Sequence, residues 1–74
     1  MEEKIGVLLE DVEAQKHIVD GDKIETVYRI IKKDEKVTVC IYKTQNYFLL
    51  MPYYNITSSD GYYVCVNTRL IKIL

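Results

Sequence analysis

Seven tyrosines, one histidine, two cysteines and a run of carboxylates are the side chains of this 74-residue chain with types that could do chemistry. The tyrosines dominate: Tyr28, Tyr42, Tyr47, Tyr53, Tyr54, Tyr62 and Tyr63. Each has a flat apolar face and a hydrogen-bonding tip, which suits protein interfaces and base stacking alike. Cations stand beside two of them, Arg29 after Tyr28 and Lys43 after Tyr42. Binders of single-stranded nucleic acid combine such cations with aromatic platforms, at roughly 1–3 kcal/mol per stacked base. Tyr28, Arg29, Tyr42, Lys43, Tyr53, Tyr54, Tyr62 and Tyr63 therefore form the candidate binding set. The competing role is structural, because tyrosines also cover the solvent side of a thin sheet and pair across strands. Adjacent residues of an extended strand point to opposite faces. One of Tyr53 and Tyr54, and one of Tyr62 and Tyr63, must therefore face away from the core.

A second candidate is acidic. Glu10, Asp11 and Glu13 fall on one face if residues 2–19 are helical, and such a face could engage a partner or simply solvate the helix. Residues 1–25 hold eight acids and three bases, a net −5, whereas residues 26–74 hold three acids and seven bases, a net +4. The whole chain sums to −1, which is unlike the clearly basic balance of most nucleic-acid-binding domains.

Enzymatic readings find little to rest on. General acid–base chemistry needs positioned groups with shifted pKa values, and His17 is the lone histidine. Cys40 with His17 could be drawn as a nucleophile and its base, but their spacing does not support the pair. Gly6, Gly21 and Gly61 are isolated, so no phosphate-cradling loop is present. One histidine and two cysteines without a CxxC do not make a zinc site of usual type. No metal, cofactor or catalytic residue is expected. Cys40 and Cys65 each sit inside a strand-like run and read as small buried apolar groups in a reducing compartment.

The elements that must position these residues are mostly strands. Lys23–Ile31, Val37–Lys43, Tyr47–Met51 and Tyr62–Val66 are rich in β-branched and aromatic residues and bounded by polar turns. Lys32–Lys36 reads as a charged hairpin turn. In Val37–Lys43, Val37, Val39 and Ile41 alternate with Thr38, Cys40 and Tyr42, and the first set is assigned to the core. Ser58-Ser59-Asp60-Gly61 is a turn with glycine where a positive φ is needed. Arg69–Leu74 reads as a short final strand.

The N-terminal region is different. Ile5, Leu8, Leu9, Val12 and Val19 follow helical spacing, and Gly21 suits the position beyond a helix C-cap. The rival reading takes Ile5–Leu9 as a strand and Asp20-Gly21 as a hairpin turn joining His17–Val19 to Lys23–Tyr28.

The expectation is a single α+β domain over residues 1–74. Residues 1–20 form a helix packed on a bent antiparallel meander over residues 23–74. That sheet has four to five strands and is of SH3-like or open-barrel size; the alternative is an all-β small barrel. With no transmembrane run and no signal peptide in the acidic start Met1-Glu2-Glu3-Lys4, the chain reads as cytoplasmic. A chain this short buries only roughly 60 % of its unfolded surface, and Tyr47–Met51 is apolar throughout, so a homo-oligomer is expected. The functional expectation is a small non-enzymatic regulatory or inhibitory module, of the kind plasmids and phages encode, that binds a partner protein. Single-stranded nucleic-acid binding on the Tyr/Lys/Arg face is the alternative. A small-ligand sensor with an aromatic pocket between protomers is a third.

Overall fold

The computed structural model describes residues 2–41 and 53–74. Tyr42, Lys43 and the Tyr47–Met51 strand lie outside them. Among the described residues there are seven strands: β1 (Glu2–Leu8), β2 (Val12–Asp20), β3 (Lys23–Ile31), β4 (Lys36–Ile41), β5 (Tyr53–Thr57), β6 (Tyr63–Asn67) and β7 (Ile71–Ile73). A 3-10 turn, Thr68–Leu70, separates β6 from β7, capped by the Asn67 side chain accepting from the Arg69 N–H. The strands form one antiparallel sheet in the order β3-β2-β6-β5-β4-β1-β7.

This corrects the α+β expectation. No α-helix occurs among the described residues, and the fold is the all-β alternative. The apparent helical spacing of Ile5, Leu8, Leu9 and Val12 arises from two strands separated by a short turn. In β1, Gly6 and Leu8 point inward while Ile5 and Val7 point out; in β2, Val12 and Ala14 resume the inward set. The β-branched Ile5, Val7, Val12, Ile18 and Val19 favour strands. Both parts of the rival reading are in this fold: β1 takes in Ile5–Leu8, and the Asp20-Gly21 hairpin joins β2 to β3. Asp20 pairs with Lys23, and Gly21 has φ of 61°, as the first central residue of a two-residue hairpin loop.

The meander is also corrected in part. β4, β5 and β6 are consecutive neighbours, but β3 and β4 are separated by β2, β6 and β5. Lys32–Glu35 is therefore a crossover and not a hairpin turn. Short crossovers force the sheet to curl. Four residue steps from Leu8 to Val12 reach at most about 14 Å, yet β1 and β2 lie four places apart, about 19 Å across a flat sheet. The Asp34 N–H, just past the edge strand β3, donates to the Leu8 carbonyl on β1 at 2.8 Å.

Curling gives the sheet an inside. No α-helix among the described residues covers that inside, and the apolar side chains of the seven strands meet each other there. Leu8, Ile31, Val39 and Ile56 are fully buried, joined by Ala14, Val37, Val66 and Ile71. Val37 and Val39 are in the core as the alternation predicts, and Ile41 packs against it half-buried. Gly6 stands where β1 passes closest to its neighbours. A Cβ there would lie 3.0 Å from Ile71 Cγ2, from Val39 Cγ2 and from the Lys72 carbonyl oxygen.

Candidate functional site: the outer face of the sheet

The two faces of the sheet separate the candidate residues. On the inner side, at the rim, Arg29 organises a charged clip. Its guanidinium spans the Glu35 carboxylate, Nη1 to Oε1 at 3.1 Å and Nη2 to Oε2 at 2.8 Å. Nη2 also donates to Asp60 Oδ1 at 2.7 Å, and the group lies 5.3 Å from the Tyr62 ring centroid. Lys16 Nζ donates to the Asp60 carbonyl at 2.8 Å and sits 5.7 Å from the same ring. The Ser58 hydroxyl donates to Asp60 Oδ1 and accepts from the Tyr62 N–H. Together these contacts tie the Ser58–Gly61 turn to β3 and to the crossover after it. Asp60 is held down to about 2 by the Arg29 hydrogen bond first and the Ser58 hydroxyl second. Glu35 is lowered by the same guanidinium, and Arg29 is raised in turn by Glu35 and Asp60.

The outer face is built otherwise. Cross-strand pairing aligns Ile30 with Glu13, Tyr28 with Gln15, Thr26 with His17 and Ile24 with Val19. Gln15 pairs with Tyr63, and β6 then aligns Tyr63, Cys65 and Asn67 with Thr57, Asn55 and Tyr53 of β5. Gln15 Nε2 donates to Tyr63 Oη at 3.3 Å, and the His17 ring lies 5.9 Å from the Tyr63 ring at a tilt of 56°. Tyr28 is 63 % exposed, and Ile24, Ile30, Tyr53 and Tyr63 are exposed with it. Strands β3, β2, β6 and β5 themselves place no lysine or arginine on this face, and Glu13 is their one formal charge there; at its edge Arg69 Nε donates to Asn67 Oδ1 at 3.3 Å.

A depression of about 390 Å³ opens where β2 and β6 part. Gln15↔Tyr63 is the one pair joining those strands. Beyond it Glu13 and Cys65 no longer meet, and the gap is lined by Glu13, Gln15, Tyr28, Asn55, Tyr63 and Cys65.

The candidate binding set is thus divided. Tyr28, Tyr53 and Tyr63 lie on the outer face; Arg29, Tyr54 and Tyr62 lie on the inner side, the two tyrosines packed against the core. Tyr42 and Lys43 are outside the described residues. Each adjacent tyrosine pair sends one ring in and one out, as alternation requires. The acidic trio shares no face. Glu10 is exposed in the β1–β2 turn. Asp11 accepts from the Lys33 N–H at 2.8 Å and lies 3.8 Å from Lys32 Nζ. Glu13 faces the depression. Cys65 is exposed on the outer face and Cys40 half-buried, which corrects their reading as buried apolar groups; both are free thiols. Cys40 on β4 is three places from His17 on β2, about 14 Å across the sheet. His17 instead bonds Thr26 through Nδ1 at 3.0 Å. No cluster of metal-ligating side chains occurs among the described residues, and no helix there is long and apolar enough to cross a membrane.

Sequence reasoning missed Gln15, Ile24, Ile30 and Asn55. The Asp20-Gly21 hairpin carried the signal for the first three, since its register alone aligns Tyr28 with Gln15. No protein-family model, curated protein or solved structure matches this chain.

Proposed function

We propose that this chain is a non-enzymatic, regulatory or inhibitory protein-interaction module that recognises its partner with the β3-β2-β6-β5 outer face. One observation carries the reading: that face is aromatic and aliphatic, and strands β3, β2, β6 and β5 contribute no lysine or arginine to it. Tyrosines with isoleucines around a few polar groups match the composition of a protein interface. A nucleic-acid platform needs cations beside its rings to neutralise phosphate. Arg29, the cation nearest in sequence to Tyr28, is on the opposite side and committed to Glu35 and Asp60. The depression beside Tyr28 and Tyr63 suits one inserted apolar side chain of the partner, held by Gln15 and Asn55 at its rim.

The discriminating experiment is titration of labelled poly-pyrimidine and mixed-sequence oligonucleotides at low salt. The expected result is no saturable binding. Tight binding that weakens steeply with added salt would overturn the protein-interface reading in favour of the nucleic-acid one.

A further inference from the structure

Glu13 gives the depression between β2 and β6 a charge that the strands around it lack. Its carboxylate makes no ion pair among the described residues. Beside it, Gln15 stands between two rings, paired with Tyr28 on β3 and with Tyr63 on β6. Cross-strand partners have Cα atoms roughly 4.5–5.5 Å apart, so the two rings rise about 10 Å from each other. A group seated over Gln15 then lies within the ~6 Å at which a cation is held by a ring face, on both sides. Glu13 is one pleat along β2 on the same face, about 7 Å from Gln15 at Cα.

The same parts occur, complete, on the other side of the sheet. There the Tyr62 ring carries Arg29 at 5.3 Å and Lys16 at 5.7 Å, and Asp60 accepts from both cations. Around Tyr28 and Tyr63 the rings and the carboxylate recur without a cation among the described residues. Further acceptors converge on the gap. Gln15 turns its amide nitrogen to Tyr63 Oη at 3.3 Å, which leaves its carbonyl oxygen as an acceptor. The hairpin phase adds a main-chain group. A two-residue loop closes on Asp20↔Lys23, so even-numbered residues of β2 exchange bonds with β3 and odd-numbered ones turn toward β6. Gln15↔Tyr63 is the one pair made on that side, so the Glu13 carbonyl opens into the gap.

We propose that the apolar insertion into this depression is the stem of an arginine of the partner protein, with its guanidinium over Gln15 and against Glu13. A guanidinium supplies what the lining lacks: positive charge for Glu13, a flat face for Tyr28 and Tyr63, and a fork of N–H donors for the carboxylate and the carbonyl oxygens. Lysine brings the charge without the flat face, and an aliphatic side chain brings neither. The inference deepens the proposed function and rests on it, since the arginine belongs to the protein that this face recognises.

Chemical-shift titration of the isotope-labelled chain tests the assignment. The probes are N-acetyl-arginine amide, its neutral isostere N-acetyl-citrulline amide, and N-acetyl-norleucine amide. The arginine probe should shift the side-chain amides of Gln15 and Asn55 saturably at millimolar concentration. The other two should bind about fivefold or more weakly. Glu13→Gln should weaken the arginine probe about fivefold, leave the citrulline probe unchanged, and melt as the parent does because Glu13 is exposed. Tyr28→Leu keeps an apolar side chain but removes a ring face, and should weaken the arginine probe too. Equal binding of the norleucine or citrulline probe would overturn the arginine and leave the protein-interface reading in place, which the oligonucleotide titration tests separately. Absence of arginine-induced shifts at Gln15 and Asn55 would overturn it as well. So would an unchanged dissociation constant for Glu13→Gln or for Tyr28→Leu.

Discussion

Gly6→Ala reports on the N-terminal fold through the sign of its effect. Were residues 2–19 a helix, alanine in its interior would stabilise the chain by about 1 kcal/mol. In the curled sheet the new methyl meets Ile71 Cγ2, Val39 Cγ2 and the Lys72 carbonyl oxygen, each at 3.0 Å. Ordinary carbon contacts lie at roughly 3.5–4.0 Å, so the neighbours must retreat by about half an ångström. Two of them are core side chains and the third is backbone of β7, which is paired to β1 at Gly6↔Ile73. Overpacking of this kind costs about 1–3 kcal/mol. Reduced freedom of the unfolded chain returns about 0.4–1 kcal/mol. The net loss is about 1–2 kcal/mol, a large share of the total for a domain of this size, and lowers the melting temperature by about 5–15 °C. Thermal unfolding followed by far-UV circular dichroism reads it directly. A melting temperature equal to or above that of the parent chain would refute the close approach of β1, β4 and β7.

Further predictions concern the charged clip, the thiols and the hairpin tip. Asp60 is depressed to about 2 from an ordinary 3.8, chiefly by Arg29. Its stabilisation is therefore complete above the ordinary aspartate range and fades as pH falls toward 2. Urea midpoints measured from pH 6 downward should drop through that window, and Asp60→Asn should flatten the drop; an unchanged slope would contradict the clip. An uncharged alkylating reagent should label the exposed Cys65 several-fold faster than the half-buried Cys40, as peptide mapping would detect. Val19→Thr with Ile24→Thr should change folding stability by no more than about 0.5 kcal/mol, because both side chains are exposed at the hairpin tip.

Much of the β structure was legible because its signals are local. Alternation identified Val37 and Val39 as core and split each adjacent tyrosine pair between faces. Glycine chemistry placed the Ser58–Gly61 turn, where Gly61 has φ of 92°. The same alternation, applied to Tyr28 and Arg29, separates them, and so removes the cation from the tyrosine face. The N-terminal error has a different origin. β1 finds its partners at β4 and β7, 29 or more residues away, and no local pattern reports such pairing. Spacing across the Leu9–Asp11 turn happened to match a helical period. The crossover at Lys32–Glu35 was hidden likewise, because a short polar linker looks the same whether the strands it joins are neighbours or lie across a curled sheet. The depression between β2 and β6 depends on where two distant strands stop pairing, which the sequence does not announce.

Engagement of a protein by the outer face would be read by affinity enrichment from the native host. Parent chain and the Tyr28→Ala/Tyr63→Ala variant would be compared, with Lys72→Ala as control. The exposed part of the Tyr28 ring, 63 % of the residue, offers about 95–160 Å² for burial. At about 25 cal/mol per Å² its removal alone costs roughly 2–4 kcal/mol of binding, a loss of about 30-fold or more in affinity. The expected result is one protein enriched by the parent chain and by Lys72→Ala, and lost with the double variant although that variant melts as the parent does. Equal recovery of that protein by the double variant would contradict it.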